Sequence, residues 1–149
     1  MPRKIVQFLA LTLTALALVP SGAHLFALPN KINLAAEQYF IVQSTYRGWS
    51  LFGVVLIGAL IANLALALVL RGRGAPFAFA LFAFLCIALT LVVFFIWTYA
   101  ANQATNNWTM IPDNWEQLRR EWEYSHAADA VVTFAAFCAV TLSVLTTRE

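Results

Sequence analysis

Charge is what this sequence has least of. Asp, Glu, Lys and Arg make up 11% of its 149 residues, against roughly 25% in an ordinary soluble domain. The formal net charge is only +2. No basic footprint exists to grip a phosphate backbone, so nucleic acid is excluded as a partner. Cysteine and histidine occur twice each. Cys86 and Cys138 both sit inside long apolar runs, where a thiol behaves as a small apolar side chain. Neither a disulfide nor a cysteine metal site follows from them. No internal repeat or low-complexity segment is visible. Apolar residues fill the chain instead, at 62%, and mean hydropathy is +0.76. A soluble fold of this length has too little interior to hide that much apolar surface. A soluble enzyme and a disordered chain are therefore excluded too. The sequence reads as a single membrane domain over residues 1–149, with the lipid bilayer as its first partner.

A bilayer core of about 30 Å takes about 20 apolar residues of helix. Four segments have that length, near residues 5–28, 49–70, 76–99 and 127–145. Lipid offers no hydrogen bonds, so the spans are expected to be helical. The expected fold class is all-α: an integral membrane four-helix bundle with helical segments outside the membrane on its outer face. Orientation follows from the basic residues. Arg3, Lys4, Arg71, Arg73 and Arg148 fall on one side, with the single acid Glu149. Lys31, Arg47, Arg119 and Arg120 fall on the other, nearly cancelled by Glu37, Asp113, Glu116, Glu121 and Glu123. The positive-inside rule then places both termini in the cytoplasm. Trp49, Trp97, Tyr99 and Trp108 would mark the outer interface. Arg3-Lys4, the first apolar stretch and Ser21-Gly22-Ala23 also resemble a signal peptide, although the apolar stretch is long for one.

Both outer connections, residues 29–48 and 100–126, are far longer than ordinary helix–helix turns, and long connections commonly carry function. Asn33 is expected to cap a short helix from Leu34 to Thr45. Pro112-Asp113-Asn114-Trp115-Glu116 reads as a second helix start, with Asp113 as cap. No breaker follows, so one helix is expected from Asn114 to about Leu145. At about 100° per residue, Arg119, Trp122, His126, Asp129 and Thr133 all fall within about 40° of Trp115. This polar stripe enters the membrane and should face the interior or a watery cavity. Val131, Phe134, Val140 and Leu142 are expected to face lipid.

His24, near the outer end of the first span, lies at a depth similar to His126. Pro20, one turn earlier, frees the Leu16 carbonyl and predicts a kink. A polar outer pocket is thus expected. Its candidate catalytic residues are His126, Arg119 and Asp129. Its candidate ligand-binding residues are His24, Trp122, Trp115, Asn106, Asn107 and Glu37. Two imidazoles and a carboxylate are good ligands for copper, iron or zinc, and Glu123-Tyr124-Ser125-His126 has Glu-x-x-His spacing. His24, His126 and Glu123 are therefore a candidate metal set. Bis-histidine haem ligation is a further option, as is no cofactor at all, with Asp129 orienting His126 as an acid/base. Each residue also fits a plainer role. Glu116, Arg119, Arg120 and Glu123 have the spacing of a solvated, salt-bridged helix face. The tryptophans fit interfacial anchors, and Asn63 and Asp129 fit interhelical hydrogen bonds.

The segments Ala100 to Thr109, Pro112-Asp113-Asn114-Trp115 and Leu118 to Ala127 resemble a group of small bacterial membrane proteins related to the anthrone-oxygenase-like family. The matching positions are Thr105, Asn106 or Asn107, Trp115 or Trp122, Arg119 and His126. The resemblance implies four spans and a multi-pass protein of the bacterial inner (plasma) membrane. It also implies insertion of oxygen into an aromatic ketone without an obvious cofactor motif. The expected activity is a redox or oxygenase-type reaction on a lipophilic aromatic or quinone-like molecule. In it, His126 serves as base or metal ligand, Arg119 holds an oxyanion and Trp122 stacks on the ring. The alternative is a non-enzymatic structural or accessory subunit. Its outer helix would dock a membrane protein partner through Trp115 and Trp122, or the chain would self-associate through small residues such as Gly53 and Gly58.

Overall fold

A computed structural model describes residues 2–147. Arg148 and Glu149, counted in the charge balance, lie outside the described residues. Helix α1 runs over Pro2–Lys31, with Pro20 and Pro29 inside it. Near the carbonyl that Pro20 deprives of a donor, the Ser21 hydroxyl donates to the carbonyl oxygens of Ala17 and Leu18 at 3.3 and 3.2 Å. The buried positions of α1 are Ala10, Thr14, Ala17, Ser21, His24 and Lys31. Steps of three, four and seven keep them on one face, so a single seam carries small residues along most of its length and ionisable ones at its C-terminal end.

Helix α2 covers only Ala36–Gln43, and its cap residue, Ala35, makes no side-chain cap bond. The expected Asn33 cap does not form. The Leu34 amide instead donates to the Lys31 carbonyl at 3.2 Å, closing a turn off the end of α1. Two 3₁₀ turns, Ser44–Tyr46 and Trp49–Leu51, lead into α3, Phe52–Val69. Gly48 between them has φ 87°, a left-handed backbone that glycine adopts without strain. A tight turn at Arg71–Gly74 follows, with Gly72 and Gly74 at φ 81° and 64°. Helix α4, Ala75–Val93, then passes through a π-helical stretch, Phe94–Thr98, into α5, Tyr99–Ala104. The apolar helix therefore runs past its expected end near residue 99. Helix α6 is the long one, Trp115–Thr146. It begins at Asn114 with no side-chain cap bond, and Asp113 is exposed. The capping expectation for Asp113 fails because the Pro112 carbonyl takes the Trp115 amide in a turn at 3.0 Å.

The described chain is all-helical, with four helices long and apolar enough to cross a membrane. Helix α1 packs on α3 and α6, and α4 packs on both of those in turn. The interior is made of small residues and a few large ones: Ala59, Leu66, Ala80, Ala83, Ile87, Ala136 and Val140. Polar ties cross it at intervals. The Asn63 amide donates to Thr14 Oγ1 at 2.8 Å, and the Ser143 hydroxyl to the Pro76 carbonyl at 2.8 Å. Val54, Ile61, Phe82, Phe95, Val131, Phe134 and Leu142 point outward, as lipid-facing positions should. Val140, expected among them, is fully buried. Its position, about 20° from Trp115 on the helical wheel, returns it to the Trp122 face. At the end near Pro2, Arg3, Lys4 and Arg73 line one shallow recess.

Candidate functional site

The two histidines meet. His24 of α1 and His126 of α6 stack with ring centroids 4.1 Å apart and planes inclined by 16°. Three aromatic rings enclose them. Trp122, one turn before His126, lies edge-on at 4.3 Å from His126 and 4.9 Å from His24. Tyr46 and Trp49, on either side of the Gly48 turn, lie 4.3 and 5.5 Å from His24. His24 is buried and His126 half-buried. No hydrogen-bond partner reaches Nδ1 of His24 among the described residues.

Above this box lies a buried charged layer. Lys31 Nζ contacts Glu123 Oε1 at 2.9 Å. The Tyr39 hydroxyl donates to the same oxygen at 2.9 Å, and the Gln43 amide donates to that hydroxyl. The Lys31 ammonium also sits 4.6 Å over Tyr46 and 5.1 Å over Trp122. Arg119 donates from Nη1 to the Leu34 carbonyl at 2.6 Å, with its guanidinium 4.5 Å from the Trp115 ring and 5.6 Å from Tyr39. Helix α2 is thus held down by its own Tyr39 and by Arg119, which grips the chain just before it. Burial pushes the Tyr39 phenol well above its ordinary range, and the neighbouring Glu123 carboxylate pushes it further.

The α5–α6 connection supports the layer from the side. Asn106, Asn107 and Trp108 have φ of 48°, 54° and 62°, three successive left-handed residues. Asparagine tolerates this region; tryptophan does so only at a cost of about 1–2 kcal/mol. The Trp108 indole is held in compensation. It is buried against Tyr39, Phe40 and Trp122, and its Nε1 donates to Asn102 Oδ1 at 2.9 Å. The same oxygen accepts Nε1 of Trp122 at 2.9 Å. Asn102 therefore fixes both indoles, one of which touches both histidines. The π-helical stretch just before it inserts an extra residue per turn and brings Thr98 against Ser125, their hydroxyls 2.8 Å apart.

Of the residues singled out from sequence, His24, His126, Trp122, Arg119, Trp115 and Glu123 come together in or around this cluster. Asp129 is buried one turn below His126, and its Oδ1 has no hydrogen-bond partner among the described residues. Asn106, Asn107 and Glu37 are exposed. Asn106 bonds Thr109 within its own turn at 3.0 Å, so the asparagine pair serves the backbone rather than the cluster. Trp108 is buried rather than interfacial, and the tryptophans expected to dock a partner point inward. Of the expected salt-bridged face, only Glu116–Arg120 is solvated, at 3.9 Å; Arg119 and Glu123 turn inside. The metal set does not fit as placed. Among the described residues no three His, Cys, Asp or Glu side chains converge. The stacked imidazoles hold their nitrogens in near-parallel planes, and Glu123 is taken by Lys31 and Tyr39. Haem fits no better, since its plane would have to lie between rings 4.1 Å apart.

Sequence reasoning missed Lys31, Tyr39, Gln43 and Asn102 as parts of this cluster. One signal was present: Lys31 lies seven residues after His24, hence on the same helix face. Comparison with known proteins adds no relative. No family model matches the chain, nor does any curated protein or solved structure.

Proposed function

We propose that this chain is a membrane-embedded enzyme of redox or oxygenase type that acts on a lipophilic aromatic or quinone-like molecule. On this reading the four spans form a bundle with both termini in the cytoplasm, and the site opens toward the outer leaflet. The observation that carries the reading is the His24–His126 stack, 4.1 Å apart within an aromatic box. Ionisable side chains at the ends of apolar spans are costly to keep and are as a rule functional. Imidazole accepts or donates a proton near neutral pH, and Trp122, Tyr46 and Trp49 offer aromatic surface to a planar guest. The gathering of Arg3, Lys4 and Arg73 at the opposite end supports the orientation.

His126 is the proposed general base. It takes a proton from an activated ring methylene of the anthrone type, and Trp122 holds the ring. The carbanion then gives its electrons to dioxygen. Overall one CH2 and one O2 become one C=O and one H2O. The expected result in lipid nanodiscs, above the protein-free rate, is uptake of one dioxygen per carbonyl formed. His126→Ala should lower that rate by about 10²–10⁴-fold, the usual worth of a positioned acid/base. A rate unchanged in both His126→Ala and His24→Ala would overturn the proposal.

A further inference from the structure

Formal charge in the layer above the histidines does not balance. Lys31 and Arg119 are 3% and 7% exposed, and the one carboxylate among them, Glu123, is 1% exposed. Other acids do not make up the difference. Glu37 is exposed, Glu116 faces Arg120 at the surface, and Glu121 accepts a bond from Gln117. Asp129 lies ten residues along α6 from Arg119, about 15 Å on the helix axis. One positive charge is thus buried without a counter-charge in contact.

The unpartnered atoms gather at the same place. Seven buried side-chain atoms among the described residues lack a hydrogen-bond partner, and five belong to His24, Lys31, Gln43, Arg119 and Glu123. Arg119 Nε is the unanswered charged donor in this group, and Lys31 Nζ, ion-paired with Glu123 at 2.9 Å, has further N–H groups to offer. Buried charged donors left unanswered are expensive, and an ionised oxygen is the acceptor that satisfies them best. Trp122 connects this layer to the chemistry below. Lys31 Nζ is 5.1 Å from the Trp122 ring, and that ring is 4.3 Å from His126. Trp122 thus links the charged layer to the histidine pair.

Building on the reading above, we propose that the ligand is a lipophilic acid. Its permanently ionised oxygen, a carboxylate or an acidic enol, is received by Arg119 and Lys31 while its ring lies along Trp122 toward the histidine pair. Recognition of the acid is separate from proton removal, because Arg119 and Lys31 carry the first and His126 the second.

The test uses the full chain in nanodiscs of zwitterionic phosphatidylcholine, so that the membrane contributes no anion. The probes are an alkyl hydroxynaphthoquinone, ionised at neutral pH, and its methyl ether. Binding is read from quenching of tryptophan fluorescence and corrected with empty nanodiscs. The acid should bind at least about tenfold more tightly than the ether, equivalent to ~1.4 kcal/mol. Arg119→Met should shrink that preference to about threefold or less. Lys31→Met paired with Glu123→Gln, which leaves the layer's net charge unchanged, should do the same. Equal affinity for acid and ether, with both lost in His126→Ala, would overturn the acid proposal and leave the aromatic site standing. A preference that survives both charge variants would overturn it as well. Failure of both probes to bind would remove both readings. The acid-against-ether comparison on the unaltered protein needs no variant to fold.

Discussion

Removing the Lys31 ammonium tests whether the buried charged layer holds the histidine end of the helices together. In Lys31→Met the side chain keeps its length and most of its volume but loses its charge. Glu123, whose side chain is fully buried and lies 2.9 Å from that ammonium, is left with the Tyr39 hydroxyl as its hydrogen-bond donor. Breaking a buried pair from one side costs about 3–5 kcal/mol, mostly the desolvation of the partner left behind. Adding Glu123→Gln removes that stranded charge, and the Tyr39 hydroxyl can still donate to the amide oxygen. What then remains lost is the cation's contact with Tyr46 and Trp122, worth about 0.5–2 kcal/mol. The double variant should therefore be more stable than the single one, an uncommon order. Unfolding in mixed micelles of a mild detergent and dodecyl sulfate, followed by circular dichroism, measures both. If the double variant proves as unstable as Lys31→Met, the loss comes from packing of the lysine stem, and the electrostatic account is wrong.

Two further outcomes follow from the same cluster. Asn102→Ala deprives two indole N–H groups of one shared acceptor and should cost about 1–3 kcal/mol for each left unsatisfied; the indole N–H resonances of Trp108 and Trp122 should shift together while those of Trp97 stay in place. The Tyr39 phenol, raised by burial and by Glu123, should resist ionisation well past its ordinary pKa of about 10, so Tyr39→Phe should leave the tyrosinate absorbance unchanged through that pH. Because the folded form is the one that holds this proton, Tyr39's contribution to stability is intact below about pH 10 and is lost as pH rises above it.

The spans were legible because membrane helices announce themselves by length and hydropathy alone. The long sixth helix was legible because nothing after Pro112 could break it. The meeting of His24 and His126 was half legible: equal depth followed from topology, but contact needed the packing of α1 on α6. Three things were hidden for stated physical reasons. The left-handed turn at residues 106–108 looks in sequence like a polar ligand loop, since asparagine serves backbone and ligand equally well. The π-helical stretch shifts the register of a helix face, so wheel positions counted through it mislead, and Asn102 was not expected on the Trp122 side. Arg119 already lay on the stripe expected to face inward, but the inward turn of Glu123 was obscured by Glu116 and Arg120. All four have the spacing of a solvated face, and only the partners offered by α1 and α2 separate them. Val140 shows the opposite error, in which an apolar residue type was read as lipid-facing although the helix period places it inside.

The pairing of α1 with α6 also bears on how the protein is made. One imidazole of the stack and the lysine of the buried pair belong to α1. The other imidazole and the glutamate belong to α6, made about a hundred residues later. Until residues 123–126 have been synthesised and inserted, Lys31 waits near the membrane surface without its counter-ion and His24 without its neighbour. The site therefore exists only once α6 has been made and has packed on α1. Any signal from the stacked histidine pair doubles as a report that these two helices have found each other.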